Sequence, residues 1–190
     1  MTKEKKTSDS TVKLANVRLA FGTLFQARAV NGEGEPKFSA SLIIDKKQKD
    51  VIAAVEAAML KAATAKWGAK AAVQLKALQA ADKCCLHDGD LKTEYDGFEG
   101  NLYVSARATV KPRVVDRRNQ ELTQADGIPY NGCYVNATVD IYAQDNSFGK
   151  RINATLRGVQ FVKDGEAFGA GRPAGDDEFE ELEDEEGDLA

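Results

Sequence analysis

The sequence has one histidine, one tryptophan, three cysteines and four prolines in 190 residues, and most of these scarcities exclude something. A zinc centre needs about four ligands at workable spacing, and His87 with Cys84, Cys85 and the distant Cys133 does not supply them. Two adjacent cysteines and a remote third make no disulfide framework, so a reducing cytoplasm is the expected setting. No apolar run approaches the roughly 18 residues that cross a bilayer. Residues 1–10 are charged and polar and lack the apolar centre of a secretory leader. Gly169-Ala170-Gly171 runs into Arg172-Pro173 and not into a helix, so it makes no phosphate-binding loop. Asp88, Asp90, Glu94, Asp96 and Glu99 crowd one stretch without calcium-loop spacing. A solvated loop is the plainer reading, and a metal-dependent nuclease the weakest functional one. The expectation is a protein without catalysis, cofactor, metal or membrane attachment.

Also missing is any basic residue after Arg172. Asp176, Asp177, Glu178, Glu180, Glu181, Glu183, Asp184, Glu185, Glu186 and Asp188 form an acidic tail with two apolar handles, Phe179 and Leu182. Residues 1–175 hold 26 basic and 20 acidic groups, a net of +6, although the whole chain carries −4. A mildly basic body is thus tied to a polyanion. At 43% hydrophobic residues the body can bury a core without staples. The expected organisation is a disordered leader over 1–10, one domain over 11–168, and a flexible linker with the acidic tail over 169–190. Such tails often only solubilise. This one can also compete for a basic groove, or serve as a docking peptide for partners.

Within the body, hydrophobic period separates strands from helices. Val17, Leu19 and Phe21 alternate with Arg18 and Ala20, after a slip near Ala15-Asn16 of the kind a bulge makes. Residues 26–36 are rich in turn formers, and Phe38, Ala40, Leu42 and Ile44 then alternate with Ser39 and Ser41. Asp45 and Gln48 have capping-box spacing. Ile52, Val55, Met59 and Ala62 follow at helical intervals up to Trp67-Gly68, and a second helical run covers 69–81. The stretch 88–100 reads as loop. Strands are expected over 102–115, 134–143 and 151–162. Strands grouped around central helices argue for a mainly β (α+β) fold. The economical match is an OB-fold five-stranded barrel with a helical insertion at about 46–81. In that scheme the helix follows the third strand, with the bent first strand counted twice.

The polar faces of the last three strands carry Tyr103, Arg107 and Lys111, then Tyr134, Asn136 and Tyr142, then Arg151, Asn153 and Arg157. Arg113 continues the first of them, and the last two are joined by a short link bearing Phe148 and Lys150. Exposed bases stack on aromatic rings, and cations follow the phosphates. The blander reading is that strands favour tyrosine in any case. Together these residues point to single-stranded nucleic acid as the partner. The rival is a protein-interaction or chaperone-like module acting through the acidic tail; a homodimer is compatible with either.

Three segments resemble a known family: Lys111-Pro112-Arg113-Val114-Val115-Asp116, the run from Ile128-Pro129-Tyr130-Asn131-Gly132-Cys133 to Asn136, and the run from Leu156-Arg157-Gly158 to Asp164-Gly165-Glu166. In this order they are similar to phage single-stranded-DNA-binding proteins of OB-fold. The resemblance covers roughly 12–182 and implies sequence-tolerant DNA binding in phage replication or recombination. Bacterial single-strand binders commonly end in a Pro-Phe tip read by host partners. Here the acids lead instead to Gly187-Asp188-Leu189-Ala190.

Overall fold

The computed structural model describes residues 10–30 and 32–169; the acidic tail and all of the leader but Ser10 lie outside them. Strand β1 (Thr11–Val30) pairs antiparallel with β2 (Glu33–Asp45), and β2 pairs with β4 (Asn101–Ala108). On its other edge β1 pairs with β6 (Tyr134–Asn146), which forms a hairpin with β7 (Gly149–Lys163). A parallel contact at Arg107↔Thr155 joins β4 to β7 and closes the circuit β1-β2-β4-β7-β6. Five strands in this order make the OB-type barrel. Two short strands lie outside it, β3 (Leu86–Asp88) beside β4 and β5 (Arg113–Val115) beside β7.

The helices α1 (Lys49–Trp67) and α2 (Ala71–Ala80) fall within the expected insertion. They follow the second barrel strand, however, and not the third. The reason is that β1 bends without breaking: its ladder shifts register between Leu14 and Val17 and again between Ala20 and Thr23. Asn16 and Phe21 absorb the bends at φ of 53° and 48°. The expected slip at 15–16 is the first of these. Val51, Val55, Ala58, Met59 and Ala63 give α1 its buried stripe, and Ala71, Leu75 and Leu78 do the same for α2. Asp45 does not cap α1. It makes a turn one step earlier, with its own N–H donating to Gln48 Oε1 (3.1 Å) and its Oδ1 accepting from the Lys47 N–H (2.8 Å).

Alternate residues of the barrel strands fill the core, among them Leu14, Val17, Leu19, Leu42, Ile44, Val104, Ile141, Ile152 and Leu156. Two expected boundaries move. Residues 26–36 are largely strand, because the β1–β2 ladder continues out to Val30↔Glu33. That arm buries neither face, so no hydrophobic alternation marks it. The single strand expected over 102–115 is two strands, since β4 ends at Ala108 and Pro112, which has no N–H for a ladder, precedes β5. Val110, expected on the inner face, is exposed in the gap.

All three cysteines are free and buried. Burial pushes the Cys84 thiol up to about 11 and the Cys85 thiol up to about 12, so both are protonated at neutral pH. Alkylation followed by mass spectrometry should therefore modify the native protein slowly and the denatured protein at all three sites. Rapid native labelling would contradict the buried placement.

Candidate nucleic-acid interface

The outward face of the barrel is built by residues that alternate with the core positions. Opposite Leu42, Val104 and Leu156, the strands β2, β4 and β7 present Ser39 and Ser41, Ser105 and Arg107, and Asn153 and Thr155. Around the β4–β7 seam this face is concave. The groove is lined by Lys37, His87, Ser105, Arg107, Tyr142, Gln144 and Arg151, with Cys84 and Cys85 also in its lining. Arg107 and Arg151 are both exposed. Because Arg107 pairs with Thr155, they stand roughly four residues apart in register, or about 13 Å along the strand. Tyr142 is 47% exposed beside them. Among the described residues none of Lys37, Arg107 and Arg151 is ion-paired with a carboxylate. Their charge is free for a polyanion.

Of the expected contact residues, the structure gathers Arg107, Tyr142 and Arg151 in this groove. Phe148 stands at the tip of the adjoining β6–β7 hairpin, 89% exposed. Lys150, on the same hairpin, has its ammonium 5.9 Å from the Trp67 ring. Lys111 lies past the end of β4, its ammonium 5.8 Å from the Phe25 ring. The others lie elsewhere. Arg113, Asn136 and Arg157 line a second hollow, where Arg113 pairs with Glu121 (3.7 Å) and Arg157 with Asp140 (3.4 Å). The Asn136 amide donates to Gln160 Oε1 (3.1 Å). Tyr134 sits at the far end of β6, with Lys163 and Arg18 over its ring at 4.6 and 5.5 Å.

Tyr103 corrects the expectation outright. It is only 5% exposed, packed with Ala20, Ile43, Phe98 and Phe168 in a small second core on the outer side of the barrel. The stretch 89–100 folds over β4 and removes that ring from solvent. Lys37, Ser39 and Arg28 were missing from the expected site. Arg28, Lys37, Ser39 and Arg107 line a recess adjoining the groove, together with Glu33 and Glu35. Only the pairing of β2 with β4 places these residues beside Arg107, and alternation within one strand cannot give that.

The lone histidine is held by two hydrogen bonds, Nδ1 to Asp82 Oδ1 (2.6 Å) and Nε2 to Ser105 Oγ (3.0 Å), and its ring stacks on Tyr103 at 4.8 Å. It forms a groove wall. No cluster of three or more metal-binding side chains occurs among the described residues. In the acidic stretch, Lys46 reaches Asp90 (3.3 Å) and Asp88 (3.8 Å). Asp90 also accepts the Gly100 N–H at 2.7 Å. That hydrogen bond, with Lys46, holds the Asp90 carboxyl below its ordinary range. These acids fasten their own loop.

A family model described as Enterobacter phage Enc34, ssDNA-binding protein, matches residues 10–190. The chain belongs to that family. Protein p50 of Acyrthosiphon pisum secondary endosymbiont phage 1 is 46% identical over 173 residues, covering 90% of this chain and 93% of p50. The single-stranded DNA-binding protein from bacteriophage Enc34, solved in complex with ssDNA, is similar in structure. It superposes with a TM-score of 0.72 at 28% identity, over 84% of this chain and 90% of that one. A second structure of the bacteriophage Enc34 protein superposes with a TM-score of 0.67 at 32% identity, over 87% of each chain. Gp2.5, the single-stranded DNA binding protein encoded by bacteriophage T7, shares the fold, with a TM-score of 0.55 at 13% identity, over 80% of this chain and 91% of that one.

Proposed function

We propose that the protein binds single-stranded DNA with little regard to sequence during phage DNA replication or recombination, without catalysing a reaction. The observation that carries this reading is the convergence of Lys37, Arg107 and Arg151, unpaired with acids, beside the exposed Tyr142 ring. The family of Enc34-type proteins supports the ligand class. Phosphates would lie along the cations while bases stack on Tyr142 and, at the hairpin tip, on Phe148. Every base has a π-face, so stacking tolerates any sequence; bases paired inside a duplex do not offer that face. A labelled single-stranded oligonucleotide should be retained, intact, with and without magnesium. Magnesium-dependent cleavage would overturn the non-catalytic reading, and failure to retain it would overturn the groove.

The acidic tail is proposed to modulate this binding. Tethering through the glycine- and proline-rich residues 169–175 would give the tail a millimolar effective concentration near the body, at which its ten acids compete with phosphates for the same cations. Removing residues 176–190 should tighten single-strand binding at low salt and change it little at high salt, where screening has already released the tail. Unchanged affinity at low salt would leave the tail to docking of replication or recombination proteins.

A further inference from the structure

Phe21 is costly to hold as it stands. A bulky side chain at φ 48° is a genuine backbone outlier, and such strain persists where the surrounding structure imposes it. The surroundings do impose it: the Leu19 N–H donates to the Cys133 carbonyl, the Gly132 N–H donates to the Leu19 carbonyl, and the Gly22 N–H donates to Asn131 Oδ1 (3.0 Å). Yet burial returns little, because the ring stays 45% exposed. Beside it Tyr95 is 44% exposed, edge-on at 4.9 Å between centroids. The Lys92 ammonium lies 5.8 Å from the Phe21 ring and 5.1 Å from Tyr103.

This patch lies two strands from the groove. Ala20, the neighbour of Phe21, pairs with Ser41, and Ser41 pairs with Ser105 in the groove lining. The crossing is two strand spacings, about 10 Å, from half-buried Ser105 over positions whose own side chains, Ser41 and Ala20, are small and buried. We infer that Phe21, flanked by Tyr95 and Lys92, is a second base-stacking subsite for single-stranded DNA leaving the groove across Ser105 and Ser41. The inference rests on the proposed groove. Charge selects the occupant. Glu94 and Asp96 line the recess beside the two rings, so the subsite repels phosphate and the acidic tail alike and takes the flat, uncharged base. The sugar-phosphate chain stays on the Lys92 side.

The test compares Phe21→Gly and Phe21→Trp with Arg107→Ala in the full-length chain, using a single-stranded oligonucleotide long enough to extend past the groove. Glycine accepts positive φ without strain, so Phe21→Gly keeps the bend while removing the ring. It should keep its melting temperature within a few degrees and lose affinity about tenfold, within the range of one base–aromatic stack. Phe21→Trp should bind at least as well as the parent, with fluorescence quenched by DNA beyond any change at Trp67 in the parent. If Arg107→Ala weakens binding while Phe21→Gly does not and the new tryptophan is not quenched, the subsite is wrong and the groove stands. If neither substitution weakens binding, the groove itself fails.

Discussion

Arg107→Glu combined with Arg151→Glu is expected to weaken single-strand binding by about two to four orders of magnitude at low salt. Each substitution removes a charge-assisted contact of about 1.5–3 kcal/mol, so the pair accounts for about 3–6 kcal/mol, at about 1.4 kcal/mol per tenfold. Lost phosphate contacts should also flatten the salt dependence, by about 0.7 in log–log slope for each. Both side chains are exposed and project from strands whose inner faces carry the core, so circular dichroism and melting should stay close to the parent. The control is Arg113→Glu with Arg157→Glu. Their charges are already engaged by Glu121 and Asp140, and a much smaller loss is expected. Equal losses from the two pairs, measured by fluorescence anisotropy, would remove the basis for choosing one groove.

Gly132→Ala should be strongly destabilising, on the order of 3 kcal/mol or more. At φ 106°, an added Cβ would stand 2.1 Å from the Glu166 carbonyl oxygen and 2.9 Å from the Ala167 Cα. Both neighbours are backbone, so neither can swing aside. The surrounding clasp is dense: Tyr130 Oη donates to Asp164 Oδ1 (2.7 Å), Arg18 Nε donates to the Gly132 carbonyl (3.1 Å), and Arg18 Nη2 donates to the Glu166 carbonyl (2.9 Å). The Phe168 N–H donates to the Asn131 carbonyl (2.9 Å). Melting temperature should fall by about 10 °C, while the fraction that remains folded binds DNA as before. A variant that melts with the parent would show that the clasp yields at no cost.

That clasp gives a physical meaning to two of the three segments by which the family was recognisable in the sequence. Tyr130-Asn131-Gly132 and Asp164-Gly165-Glu166 hold the end of β7 against β1 and touch none of the groove residues named above. The contact residues could not be read the same way. Alternation placed Tyr142 and Arg151 outward correctly, because β6 and β7 pair along their whole length with one face toward the core. It failed for Tyr103, whose outward ring is covered by neighbouring Phe98 together with Ala20, Ile43 and Phe168, which are remote in sequence. It also missed Lys37 and Arg28, whose arm has no buried face, and Phe21, whose exposure comes from a bulge. Helices α1 and α2 were legible from their stripes. Their place in the strand order was not, since a bent strand and two separate strands look alike in hydrophobic pattern.

The most direct measurement is a titration of equal-length single-stranded and blunt duplex probes with the full-length protein at several salt concentrations. Tighter binding of the single strand is predicted, weakening by about 0.7 log units per phosphate contact for each tenfold rise in salt. Equal affinity for the blunt duplex, or single-strand binding that salt leaves unchanged, would contradict a groove that works by stacking exposed bases above unpaired cations.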